Sequence, residues 1–170
     1  MNAVVEYSQT DEAAARTMNS FIRKGGLWVL AQNLLTLAVV VMGPVLHRQP
    51  WHWTWRVLGA VLFVVGAVFG ITGVRALGSN LTPYPKPVED AQLTQTGIYG
   101  IVRHPLYSSL ILLTLGWSLL WSSVAALATA LGLAVLLDAK ARLEERWLRE
   151  KFPEYPAYAR RVRRFVPWLF

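Results

Sequence analysis

The sequence predicts an all-α integral membrane protein with four transmembrane helices, the last two forming a C-terminal helical hairpin that runs on into a helical tail. Three observations carry this prediction. The 170 residues are 54% hydrophobic and 16% charged, whereas a soluble domain carries about 25% charged residues. Long apolar runs cover residues 27–46, 55–76 and 106–138, and the charges inside them, Arg56, Arg75 and Asp138, stand at their ends. Lys and Arg are also spread very unevenly over the segments between the runs.

Residues 1–26 read as a cytosolic or interfacial segment. Glu6, Asp11 and Glu12, with no long apolar core before Arg23 and Lys24, do not fit a secretory signal. Within it, TDEAAARTMNSFI (residues 10–22) predicts a short helix capped by Thr10 or Asp11, with Ala14, Met18, Phe21 and Ile22 on one side. Residues 27–170 form the membrane domain. The first span, 27–46, is uncharged. The second, 55–76, keeps its arginines at the ends, where they can snorkel. HRQPWHWTWR lies between them, and its three Trp suit a membrane surface. Gly66 and Gly70 form a GxxxG pair that packs a helix closely, first within the chain and alternatively across a homodimer.

Residues 106–138 exceed the length of one span across about 30 Å of hydrocarbon. A break at Trp121-Ser122-Ser123 gives spans at 106–121 and 123–139. With four spans, 15 Lys and Arg face one side and 2 the other. The positive-inside rule then places both termini in the cytoplasm, the plasma membrane of a prokaryote being the expected location. Segments 77–105 and 140–170 share that face and can meet.

The absence of Cys excludes disulfides, thiolate nucleophiles and Cys-ligated metal. The net charge of +7 fits basic loops facing anionic lipid rather than nucleic acid. His47 and His52 are five apart, with no third ligand nearby, and predict no metal site.

GIYGIVRHPLYSSL, residues 97–110, holds the chemistry. Pro105 suits the first position of a helix, which puts His104 at the cap and makes the helix end an anion site beside Arg103. Gly97 and Gly100 allow a tight loop, and Tyr99 and Tyr107 offer ring faces with hydroxyls. AKARLEERWLREKF continues the last span, with Lys140–Glu144, Glu145–Arg149 and Arg146–Glu150 spaced as i,i+4 pairs. The hairpin returns Glu144 and Glu145 to the level of the 97–104 loop, about 9 Å beyond Asp138. A positive pocket beside a negative one matches S-adenosylmethionine, which has a carboxylate, an ammonium and ribose hydroxyls.

These residues resemble a known family. TGIYGIVRHPLYSSL followed by an apolar hairpin and EERWLREKFPEYPAYARRVRRFVP is similar to the isoprenylcysteine carboxyl methyltransferases, in their bacterial and archaeal forms, and to the phospholipid methyltransferases. LGSNLTPYP at 77–85 looks like the family's lead-in, so the resemblance covers about residues 77–168. It implies a membrane-embedded methyltransferase using S-adenosylmethionine, with a cytosol-facing pocket and a lipophilic acceptor, a small molecule or a lipid. Carried over, Gly97, Tyr99, Arg103, His104, Pro105, Tyr107, Glu144 and Glu145 would contact the cofactor. His104, Arg103 and Glu145 would serve catalysis, and Tyr155, Tyr158, Arg161 and Arg164, with Arg163 as a further candidate, would orient the acceptor. Ser108-Ser109 departs from the Gly common at that place, and the ending before Pro167 is one residue longer than usual. Two rival readings stand beside this. Membrane sterol reductases carry a related R-H-P-x-Y segment and use NADPH, and a scaffold would use Gly66 and Gly70 alone.

Overall fold

Apolar composition makes these helices, and small residues decide how closely they pack. The computed structural model describes residues 17–47 and 52–167. Residues 17–23 (α1) are helical. They are followed by α2 (Gly26–Val45), α3 (Trp53–Leu77), α4 (Pro105–Leu120), α5 (Val124–Lys151) and α6 (Tyr155–Arg161), with 3-10 turns at Gly78–Asn80 and Gly97–Gly100. No strand occurs among the described residues; a single parallel bridge joins Val102 to Arg163. The caps expected at Thr10 or Asp11 lie outside the described residues.

Among the described residues, three helices are long and apolar enough to cross a membrane, beginning at Gly26, Trp53 and Val124. The expected third span is the shorter α4, whose 16 residues cover about 24 Å. The break falls where expected, between Leu120 and Val124. Ser122 turns the chain there with φ 51°. Ser123 caps α5 by accepting from the Ala126 N–H and donates to the Met42 carbonyl at 3.0 Å, which ties the turn to α2. Outward faces are apolar: Leu34, Val64 and Val135 are all exposed, as residues that meet lipid should be.

The closest helix contact is α3 on α4. A Cβ on Gly116 would lie 2.6 Å from the Gly59 carbonyl oxygen, and one on Gly66 would lie 2.9 Å from the Leu113 nitrogen. Ser109 Oγ donates to the Gly66 carbonyl at 2.7 Å. The Gly66–Gly70 face is therefore covered by α4 of the same chain. This is the packing within the chain that the pair was first expected to make.

The expected ion pairs along α5 are also corrected. Lys140 and Glu145 are buried, and neither serves the helix surface. Lys140 Nζ donates to Gln32 Oε1 at 2.7 Å and to the Pro83 carbonyl at 3.2 Å. Glu145 pairs with Arg103 and Arg164. The i,i+4 pair that does form is Asp138–Arg142, at 2.7 Å. Spacing fixes which residues could meet, but this face of α5 packs inward, where partners from other segments are nearer.

Gly116→Ala should cost about 1–3 kcal/mol by forcing α3 and α4 apart, read as a lower melting temperature in detergent. Gly132 on α5 has nothing within 4 Å of an added Cβ, so Gly132→Ala should leave the melting temperature unchanged or raise it.

Candidate functional site

The site is built where the 97–107 segment, α5 and the C-terminal residues converge. Gly97 adopts φ +60°, a conformation that only Gly takes without strain, and opens the 3-10 turn that carries Tyr99. His104 is the N-cap residue of α4, with Pro105 at the first helical position. The backbone between them pairs with the chain's end. Arg103 N–H donates to the Arg163 carbonyl at 2.8 Å, and His104 N–H donates to the Arg164 carbonyl at 3.1 Å. Ser108 Oγ donates to the Phe165 carbonyl at 2.8 Å, and Tyr158 Oη donates to the Tyr99 carbonyl at 2.6 Å. Both serines at the departure from the family pattern thus have structural partners.

Glu145 sits at the centre of an ionic cluster. Arg164 grips it with two parallel bonds, Nε to Oε1 at 2.9 Å and Nη2 to Oε2 at 3.0 Å. Arg103 Nη2 reaches Oε1 at 3.0 Å, and His104 Nε2 lies 3.3 Å from the same oxygen. Arg164 extends the cluster to Asp138 at 2.8 Å. Arg103 also donates to the carbonyls of Ala159 and Val162. Bidentate and charge-assisted bonds of this kind are the strong ones.

Glu144, one residue away, faces elsewhere. Its Oε2 accepts from Tyr107 Oη at 2.6 Å and lies 3.8 Å from His104 Nδ1. The Tyr107 ring is stacked on His104 at 5.2 Å with 2° between planes, and Lys140 Nζ lies 5.2 Å from its centroid. Burial pushes the Tyr99 hydroxyl well above the ordinary phenol range, and the Glu144 charge pushes it further. Burial does the same to Tyr158. Both therefore remain protonated hydrogen-bond donors at neutral pH.

A cleft of about 110 Å³ opens against this assembly. Tyr99, Arg103, His104, Tyr107, Glu144, Tyr155 and Tyr158 line it. Gly97, Pro105, Glu145, Arg161 and Arg164 do not. Gly97 and Pro105 set backbone geometry, while Glu145 and Arg164 bind each other. Arg161 lies outside, donating to Gln95 Oε1 at 3.2 Å. The expected anion site is altered as well: Arg103 reaches the cleft already engaged by Glu145, and the His104 N–H is taken by the Arg164 carbonyl.

The opposite wall was missed in the sequence. Leu77, Asn80, Tyr84, Pro85 and Leu93 line it, with Leu148 of α5 alongside. Asn80 shapes this wall. Its Nδ2 donates to the Gln92 carbonyl at 3.0 Å and its Oδ1 accepts from the Gln92 N–H at 3.2 Å, closing residues 81–91 into a loop. Tyr84 meets the Phe21 ring edge-on at 6.1 Å. The motif-like LGSNLTPYP was the available signal, but a pairing across twelve residues has no local signature.

Fold and site together define a helical membrane protein with a cleft lined by charged and aromatic side chains. Comparison with known proteins narrows the class. The chain belongs to the phospholipid methyltransferase family, whose model matches residues 54–155. It is 30% identical over 160 residues to the nickel-cobalt-cadmium resistance protein NccN of Alcaligenes xylosoxydans xylosoxydans, covering 92% of this chain and 71% of that protein. It is likewise 30% identical over 166 residues to the cobalt-zinc-cadmium resistance protein CzcN of Cupriavidus metallidurans, covering 91% and 69%. Protein-S-isoprenylcysteine O-methyltransferase B of Arabidopsis thaliana is 28% identical over 147 residues, covering 84% and 73%. The resemblance read from the R-H-P and E-E motifs is thus shown.

Removing one partner of a buried ion pair costs about 3–5 kcal/mol. Glu145→Ala should therefore lower the melting temperature steeply in ligand-free protein, and Glu144→Ala far less. Comparable losses from the two variants would contradict the division of labour between these neighbours.

Proposed function

We propose that this protein is an S-adenosylmethionine-dependent methyltransferase acting on a lipophilic acceptor at the cytosolic membrane face. The observation that carries this is the cleft's composition. One wall holds Glu144 with His104 and Arg103, and the other sets Leu77, Tyr84, Pro85 and Leu93 beside Asn80 and Thr94. The donor set fits the cofactor: Glu144 suits an ammonium or ribose hydroxyl, and the edge of Arg103 that Glu145 leaves on the cleft wall suits a carboxylate.

The cofactor, when bound, supplies a methyl group on an already activated sulfonium. The chain's own residues then have to position two reactants and exclude water. Tyr99 and Tyr107 bracket the polar end, and the 77–94 wall closes over it. A carboxylate acceptor needs no base. An amine or thiol acceptor would pass its proton to His104 or Glu144, both on the cleft wall. Arg164 is withdrawn from acceptor binding in this reading, since its guanidinium is committed to Glu145 and Asp138. The metal-resistance names belong to the two relatives; the site here supports methyl transfer.

Calorimetric titration into detergent-purified protein tests the proposal. S-Adenosylmethionine should bind, and Glu144→Ala and His104→Ala should each weaken it about tenfold or more. NADPH binding instead would move the protein to the reductases, and binding of neither ligand would revive the scaffold.

We also propose that both termini are cytoplasmic. The chain has no Cys, so single cysteines report cleanly. In intact cells, Trp53→Cys should react with a membrane-impermeant maleimide and Arg161→Cys should react only after lysis.

A further inference from the structure

The inner side of α5 serves the bundle and the ionic cluster, and its outer side serves neither. Leu131 and Val135, in the apolar half of the helix, are 54% and 72% exposed. Arg142, Arg146 and Arg149, in the second half, are exposed as well. Successive residues turn by about 100°, so these five side chains leave the helix within about 60° of one another. One unbroken helix face thus passes from apolar to triply cationic.

Helix rise sets the depth of the arginines. Arg142, Arg146 and Arg149 stand about 27, 33 and 38 Å along the axis from Val124. A hydrocarbon core of about 30 Å lies inside a bilayer of about 40–45 Å with its headgroups. A helix that enters the core at Val124 therefore carries Arg142 to its far edge and the other two into the headgroup layer. The protein leaves most of this charge uncompensated. Arg142 meets Asp138 at 2.7 Å, but Arg164 also holds that carboxylate, at 2.8 Å. Glu145, four residues before Arg149, is buried in the cluster, and Glu144 is turned to Tyr107. Glu150 stands beside the face, yet among the described residues Arg146 and Arg149 have no ion pair.

We propose that Arg142, Arg146 and Arg149 form a docking surface for the phosphates of anionic phospholipids, whose acyl chains lie along Leu131 and Val135. The planar fork of Arg matches a phosphate, and the apolar continuation of the same face matches the tails. A water-soluble polyanion would use the charges and leave the apolar half unmatched. The surface is separate from the cleft and does not depend on what the cleft binds.

The test uses the full-length chain in detergent micelles containing phosphatidylglycerol or, at the same mole fraction, phosphatidylcholine. Native mass spectrometry reads the lipid bound, and the melting temperature checks that each variant is folded. Phosphatidylglycerol should bind in preference to phosphatidylcholine. The triple variant Arg142→Gln/Arg146→Gln/Arg149→Gln should need about tenfold more phosphatidylglycerol for the same occupancy, each Arg near an anionic surface being worth about 1 kcal/mol. Arg23→Gln/Lys86→Gln/Arg160→Gln removes the same charge from exposed positions elsewhere and should bind as the wild type does. Arg146→Gln/Arg149→Gln keeps the Asp138 pair, so it should lose affinity with no drop in melting temperature. Equal losses in the two triple variants would overturn the inference, since net charge would account for both. Wild-type protein with no preference for phosphatidylglycerol would overturn it too. So would displacement of the lipid by soluble glycerol phosphate, because the arginines would then take a free phosphate rather than a lipid.

Discussion

One buried carboxylate, Glu145, holds the functional end of this molecule together. It receives Arg103 and His104 from the loop before α4, and Arg164 from the last residues of the described chain. These are separated by 42, 41 and 19 positions in sequence. A charge buried this deeply is tolerated only if its bonds are satisfied, and each bond here fixes a different segment. The backbone pairing of residues 103 and 104 with 163 and 164 is short, and the ionic cluster keeps it in register.

The clasp also explains how a membrane bundle carries a polar site. The 28 residues of α5 extend about 42 Å, beyond the roughly 30 Å of a bilayer core. Its first half is apolar and packs on α2 through Val39, Ala126 and Ala130. Its second half carries Lys140, Glu144 and Glu145 out of the apolar layer without a break in the helix. The close α3–α4 contact, made possible by Gly59, Gly66 and Gly116, holds the other side of the bundle. The cleft forms where these two supports end and the 77–94 segment folds over them.

Within the site, neighbouring residues do opposite work. Glu145 is spent on architecture, while Glu144 is held by Tyr107 at the cleft. Arg103 does both, since it braces the chain's end and shows an edge to the cleft. The shared bracing makes the geometry of the cleft depend on groups that never reach it, Arg164 and Asp138 among them.

Much of this was legible in the sequence for simple reasons. Hydrophobic runs mark apolar helices because backbone polar groups in lipid must be satisfied within the segment. Ser123 and Pro105 mark helix starts because of what their side chains do locally. The R-H-P and E-E residues could be grouped because a hairpin must return the chain to the level it left. The loop closed by Asn80 and Gln92 was not legible. The tertiary structure alone decided which of two adjacent glutamates meets the cleft. Successive residues on a helix point about 100° apart, so Glu144 and Glu145 had to diverge. Which one turned inward depended on where Arg103 and Arg164 arrived from distant parts of the chain, and no local pattern encodes that.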